Sequence, residues 1–346
     1  MGELELPGDV RVALSHAAAY GLAAILNEAG APGVRLRWTA SLDARAVVGA
    51  EGLDADAVAS LVLDDARRHA GADSWTAATA GVAGSTVGRL SPRIKPPPDD
   101  AVWLELVWLR RETIDVEVTR RAWLDLALIG ALGEPAYWRF DAQGKRRPDE
   151  GASRWEMKTR NAGEDFVRNR LHLLAAAVAA RDVAGVRGGL DGTAVVDEVG
   201  HDAPDSRTGT GLAGPGPIDN ARAWCALRGL CLFPVVARLR RASETAGYGA
   251  ETRGRQSRQS WFHLPVPVRP ITLARLATII AGEQLAAVAS ADVARDQGES
   301  LGSQFARDWL LDRSIAVVVR LPIEVSGSAN APERRALLGS VIRLER

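Results

Sequence analysis

Apolar and polar positions alternate in one short window near the start of this 346-residue chain and recur at helical spacing in several others. Between residues 34 and 39, Val34, Leu36 and Trp38 fall on one face and Arg35 and Arg37 on the other, which predicts a half-buried strand. Residues 4–6 predict another. Between them an alanine-rich stretch predicts a helix over 10–28, with Asp9 as its cap and the glycines at 30 and 33 as its stop. A second helix is expected over 55–69. Residues 72–100 are rich in Gly, Ser, Thr and Pro and close in "SPRIKPPPDD", which reads as a loop excursion outside the core. "VWLELVWLRR" fits either a strand or a buried helix. "TRRAWLDLALIGALG" is helical, and 137–140 reads as a strand before a charged turn.

In the second half, Val167, Leu171, Leu174 and Val178 form one stripe at helical periodicity, with Asp165, Arg168, Asn169 and His172 opposite. Asn161 with Glu164 three residues on gives a capping-box start. Residues 185–216 read as a long loop-rich region. A helix over 221–232 follows, capped by Asp219 or Asn220 and stopped by Pro234. A strand is expected over 233–239. A polar, arginine-rich insertion, "RLRRASETAGYGAETRGRQSRQS", comes next. Residues 261–268 read as a proline-marked edge strand, 271–281 as a helix, and 286–290, 315–322 and 340–344 as strands. The fold expected is therefore α+β, with mixed, partly antiparallel sheets, packed helices and long loop insertions. Two domains are expected: a slightly acidic N-terminal α/β domain over 1–150, and a C-terminal α/β domain over 151–346 that carries the basic helix start and the insertion.

Composition sharpens this picture in three places. Apolar residues make up 47% of the chain, enough for a substantial core. No apolar run reaches spanning length and no basic stretch precedes the first apolar helix, so neither a membrane span nor a signal peptide is expected, and the location expected is cytoplasmic. The two cysteines, Cys225 and Cys231, are six apart, which is neither a redox pair nor half a zinc site; two buried thiols are expected. Lysine and arginine number 43 against 43 acids, yet the balance is uneven. Residues 1–100 hold 13 acids against 9 bases, whereas 221–282 hold 10 arginines against Glu244 and Glu251. Such a gradient suits an anion-facing side and an acidic side that meets protein partners.

The candidate chemistry is weighed against plainer readings. "GTGLAG" (Gly209, Gly211, Gly214) matches a dinucleotide fingerprint in letters only, because Pro215 and Pro217 follow at once and no helix can open there. "DEVGHDAPDS" clusters Asp197, Glu198, His201, Asp202 and Asp205, which invites a metal-dependent phosphoester reading but reads better as a solvated acidic loop. The paired carboxylates Asp64 and Asp65 are expected on a solvated helix face. No catalytic residue, metal ligand or cofactor is assigned. "TRGRQSRQS" is more informative: Arg253, Arg255 and Arg258 can neutralise phosphates, while Gln256 and the serines can hydrogen-bond phosphates or base edges. Lys158, Arg160, Arg168 and Asn169 surround the expected helix N-terminus, itself an anion-favouring place. Arg207, Thr208 and Thr210 form an adjacent loop. Trp155 and Trp261, each beside a basic segment, are candidates for base stacking.

A Gly-Asp-Val start into an alanine-rich helix is followed in order by "SRWEMKTRNAGEDFVRNRL", "DSRTGTGLAGPGPIDNARAWCALRGLCLFPVV" and "FHLPVPVRPITLARLATII". This order resembles the CRISPR-associated proteins of the type I-U (I-G) systems that are similar to Cascade large subunits, over most of residues 8–281. The resemblance implies a non-catalytic subunit of an RNA-guided DNA surveillance complex that helps bind target DNA and recognise its flanking motif. Its partners would be other Cascade subunits, CRISPR RNA, target double-stranded DNA and a helicase-nuclease recruited in trans. The reading set against it is a phosphate-handling, metal-dependent enzyme using residues 209–216 or the His201 cluster.

Overall fold

The computed structural model describes residues 2–41, 43–82, 84–94, 97, 99–156, 165–206, 210–253, 257–293, 301–328 and 331–345, with the backbone alone at 251–253, 257, 258, 291–293, 328, 331 and 332. The first strand, β1 (Gly2–Leu6), precedes helix α1 (Ala13–Glu28), and β2 (Arg35–Trp38) and β3 (Ala46–Ala50) follow it. They form an antiparallel sheet in the order β1-β3-β2, with Leu4 and Leu36 both opposite Val48. The alternation is borne out: Leu36 and Trp38 are buried, and Arg35 and Arg37 are half-buried. β3, "AVVGA", is buried at every residue, on both faces, and so lacks the alternation that would have announced it.

Helix α1 is buried from Ala13 to Leu26. It begins later than expected. Asp9 forms a local turn, accepting from the Arg11 N–H at 2.8 Å, while the Leu14 N–H donates to the Leu212 carbonyl at 3.0 Å. A tertiary carbonyl thus does what a side-chain cap would do. The following helix, α2 (Ala55–Ala70), forms where it was expected and is capped by Asp54, which accepts from the Ala57 N–H.

Residues 72–100 depart from the loop expectation. They contain a hairpin, β4 (Thr79–Val82) and β5 (Ser85–Gly88), and they bury Trp75, Leu90, Arg93 and Ile94. Turn-forming composition here marks a tight hairpin rather than an excursion. Next come α3 (Asp100–Arg120), α4 (Trp123–Leu132) and an irregular stretch in place of the strand expected at 137–140, where only Phe140 bridges Arg146. One π-type turn (Val167–His172) leads into α5 (Leu173–Ala179). Val167, Leu171, Leu174 and Val178 are all buried, as the stripe requires. Asp165, expected outside, is buried because its carboxylate accepts from the Gly88 N–H and Ser91 Oγ. Within the expected loop 185–216 lies α6 (Val183–Asp191), whose Gly185, Gly188 and Gly189 lower its helix propensity and hide it.

Helix α7 (Asn220–Arg228) is capped by Asp219. Of the strand expected over 233–239 only β6 (Val235–Val236) forms, paired with β7 (Glu244–Thr245). Then come β8 (Tyr248–Arg253), β9 (Ser257–Pro267), α8 (Leu273–Ala281), α9 (Gln284–Val293), α10 (Leu301–Leu311), β10 (Ile315–Ser328), β11 (Ala331–Ala336) and β12 (Ser340–Arg343). The main sheet has the order β11-β10-β9-β8, and β12 pairs the first part of β10. β9 is thus central rather than an edge. Its prolines are tolerated because β8 pairs only as far as Phe262, so Pro265 and Pro267 lie where β9 has β10 alone as a neighbour. Residues 286–290 are helical, not extended: Leu285, Val288 and Ala289 make one buried face of α9, a short apolar run whose period was ambiguous.

One core runs from Leu4 to Ala336 and crosses residue 150, with α1 packed on α7 at its centre. The two helices approach closely because glycines face the crossing. A Cβ on Gly21 would stand 1.7 Å from the Cys225 carbonyl oxygen, and one on Gly229 would stand 2.0 Å from the Ala17 carbonyl oxygen. Around this crossing Arg228 is wholly buried between Asp65 of α2 (Nε–Oδ2 3.2 Å) and Asp125 of α4 (Nη1–Oδ1 2.6 Å). His69 Nε2 meets the same Asp125 at 2.8 Å, and Trp224 Nε1 donates to Asp65. Asp65 is therefore not on a solvated face. Burial alone would raise the Asp125 carboxyl, but Arg228 and His69 hold it well below the usual carboxylate range. Cys225 is buried and Cys231 half-buried, both as free thiols.

Gly21→Ala or Gly229→Ala is expected to cost about 1–3 kcal/mol or more, because the obstructing atoms are backbone oxygens that no rotamer change moves. Urea denaturation reads this directly, and an unchanged midpoint for both variants would contradict the close α1–α7 packing.

Candidate nucleic-acid interface

The arginine-rich insertion is not an unstructured excursion at its described ends. β8 and β9 pair from Tyr248↔Phe262 out to Arg253↔Ser257, with Thr252 opposite Arg258. β10 and β11 pair from Ile323↔Ala336 out to Ser328↔Ala331. Pairing between β9 and β10 stops at Ser260↔Ile323. Beyond that rung both hairpins continue in the same direction, β9 by three residues and β10 by five, roughly 10 and 17 Å at strand rise. The result is a fork of two β-ribbons rising from one sheet. The first carries Arg253 and Arg258. The second carries the cross-strand pair Arg335 Nη2–Glu324 Oε2 at 2.6 Å.

The base of the fork is held by buried charge. Asp149 accepts from Arg334 of β11 through both oxygens, at 3.0 and 2.7 Å. Arg154 and Arg93 each approach the same carboxylate at 3.2 Å, and Arg93 also pairs with Glu156. All five residues are less than a tenth exposed. Burial opposes ionisation of Asp149, but the guanidiniums of Arg334, Arg154 and Arg93 overcome it and hold the carboxyl well below the usual carboxylate range. Beside this cluster the Tyr248 hydroxyl donates to Ser260 Oγ at 2.7 Å, fastening β8 to β9 at the rung where the fork opens. Trp155 stacks on Phe262 with ring centroids 3.6 Å apart, and Arg320 lies 3.9 Å over Trp261. Both tryptophans are buried, so neither is a stacking platform for a base. Nothing in the sequence flagged Arg93, Asp149, Arg154 or Arg334. The only available signal was strand alternation on β11, which puts Arg334 on the buried face with Ala336.

The other expected residues are spread out. Lys158, Arg160, Arg207, Thr208, Arg255 and Gln256 lie outside the described residues, as do Asn161 and Glu164. Arg168 is exposed, but its Nη1 donates to the Thr86 carbonyl of β5 at 3.0 Å and its N–H to Asp165 at 2.9 Å. Asn169 is half-buried on the same turn, and its N–H donates to the Asp165 carbonyl. Thr210 is buried, and its hydroxyl accepts from the Leu212 N–H at 3.3 Å, shaping a turn rather than facing a ligand. That turn meets the base of the fork, where the Gly211 carbonyl accepts from the Ala336 N–H at 3.0 Å. No described hydrogen bond or ion pair joins Arg168 to the fork.

Residues 211–219 are irregular, and the next helix opens only at Asn220, so Gly211 and Gly214 do not begin a helix. In the acidic loop, Asp197 is buried and accepts from the Gly200 N–H, Asn220 Nδ2 and Ser206 Oγ. His201 and Asp202 have φ of 56° and 50°, and Asp202 accepts from the Asp197 N–H. These carboxylates organise the loop. Among the described residues, no group of three or more His, Cys, Asp or Glu side chains could hold a metal ion. No single described helix is long and apolar enough to cross a membrane. No family model, curated protein or solved structure matches this chain.

Removing the carboxylate at the base leaves three buried guanidiniums facing one another. Asp149→Ala is expected to cost about 3–5 kcal/mol. Because the Asp149 carboxyl is depressed when folded, its contribution is present above its unfolded value near about pH 4 and is lost as pH falls through its folded value. Melting temperatures should therefore drop on the acid side for the parent chain and change less for Asp149→Asn, which starts lower at neutral pH. Equal melting temperatures for parent and Asp149→Asn at pH 7 would contradict this account of the base.

Proposed function

We propose that this chain is a non-catalytic, cytoplasmic subunit of a type I CRISPR RNA-guided DNA surveillance complex, and that it contributes the β8–β9 ribbon to nucleic-acid binding. The observation that carries the reading is that ribbon: paired strands bearing Arg253 and Arg258 that project past the last shared rung of their sheet. A two-stranded ribbon is one of the shapes the major groove of duplex DNA admits. Arginines on it can neutralise phosphates in a sequence-independent way, leaving sequence to the guide. Arg255 and Gln256, between the two strands in sequence, would add to the same surface. Lys158, Arg160, Arg168, Asn169, Arg207 and Thr208 would add further contacts in this reading. The family resemblance supplies the partners: other Cascade subunits, CRISPR RNA, target double-stranded DNA, and a helicase-nuclease that cuts in trans.

The test is DNA affinity of the assembled complex against salt, for the parent and for Arg253→Ala/Arg255→Ala/Arg258→Ala. Weaker binding is expected, with a slope of log K on log salt shallower by about 2–3, near one unit for each phosphate that is no longer neutralised. An unchanged affinity and slope would overturn the ribbon assignment.

A further inference from the structure

Helix α3 has two faces that read as helix seams, and one of them is covered by nothing among the described residues. Trp103, Leu106, Arg110, Thr113 and Glu117 are buried. Arg110 fixes this side by donating to the carbonyls of Arg89 (2.8 Å) and Gly133 (3.2 Å). On the solvent side Leu104, Trp108, Arg111, Asp115 and Val118 are all exposed. They follow at intervals of four, three, four and three residues, the spacing that lines side chains into a seam for a second helix. Leu104 is 67% exposed and Trp108 60%, large apolar surfaces to leave in water. A shallow groove of about 600 Å³ runs along the helix beside Trp108, Arg111, Asp115 and Val116.

The charges at the middle of this seam say what fits it. Neighbouring Glu112 and Glu117 pair with Arg89 and Arg120. Arg111 and Asp115 make no ion pair among the described residues, although they are four positions apart on one helix. Arginine preceding the acid is the poorer order for a pair within a helix. Read backwards, the seam repeats itself with the charges exchanged: an apolar end, an acid, a base, an apolar end. A second copy laid antiparallel therefore sets Arg111 against Asp115 twice and Trp108 against Val118 twice, about a two-fold axis level with residue 113. A parallel copy would oppose like charges and is disfavoured.

We propose that the exposed seam of α3 is a self-association surface, on which a second copy of this chain docks antiparallel through reciprocal Arg111–Asp115 ion pairs flanked by Trp108. One helix seam buries less than the about 800 Å² per partner of a standard interface, which places the dimer among weak, transient associations. The inference does not depend on nucleic-acid binding.

Sedimentation velocity of the purified chain over about 1–100 µM tests it. The parent chain should pass from monomer to dimer. Arg111→Asp alone, or Asp115→Arg alone, should weaken dimerisation about tenfold or more, because like charges then meet across the axis. An equimolar mixture of the two single variants should dimerise again, since each then meets its complement, and so should the double variant. Both positions are exposed, so circular dichroism should not change, nor should the melting temperature at concentrations where the parent is monomeric. A parent chain that stays monomeric throughout overturns the proposal, as do single reversals that leave the dimer intact or a mixture that fails to restore it.

Discussion

Three guanidiniums converge on one buried carboxylate, Asp149, and each arrives from a different part of the chain. Arg93 follows the β4–β5 hairpin, Arg154 lies just past the short turn that holds Asp149, and Arg334 comes from the penultimate strand. A buried ion cluster gains little net stability over an apolar one, because desolvation offsets most of its Coulomb attraction. What it does is penalise every arrangement in which one of these segments is elsewhere. Arg228 acts likewise among the helices, tying α2, α4 and α7 through Asp65 and Asp125. The chain is electrically neutral as a whole, and these two clusters fix where its parts meet.

That arrangement changes what the arginine content means. Arg93, Arg110, Arg154, Arg170, Arg228 and Arg334 are buried, so a good part of the basic character is structural. A count of arginines along the sequence cannot separate these from the ones on the ribbon. Geometry separates them: Arg334 faces Asp149, its neighbour Arg335 faces Glu324 across the strand pair, and Arg253 and Arg258 lie beyond the rung where the sheet divides. The functional reading therefore rests on two or three arginines at one place rather than on a gradient over sixty residues.

Much of the fold was legible where a single local rule applied. The alternation at Leu36 and Trp38, the cap at Asp219 and the stripe from Val167 to Val178 all stand in the structure. Elements were missed where local rules conflicted with packing. β3 is apolar throughout, so it shows no period. α6 carries three glycines, and Gly189 lies against Asp219, which leaves no room for a side chain. α9 is a short apolar run that fits either period. The candidate interface was legible only as composition. That Arg253 and Arg258 lie on paired strands beyond the shared sheet depends on the distant pairing of β9 with β10, which no local pattern encodes. Trp155 and Trp261 misled for the same reason, since polar neighbours in sequence said nothing of Phe262 and Arg320 in space.

The most direct measurement of the central claim is site-specific photocrosslinking from the ribbon. A photoreactive side chain placed at Ser257, in the assembled complex with guide RNA and target DNA, reports what lies within reach of the β8–β9 tip. Crosslinks to DNA or to guide RNA are expected, with few or none from the same probe at Ser340 on β12. Crosslinks from Ser257 to protein alone would contradict the account.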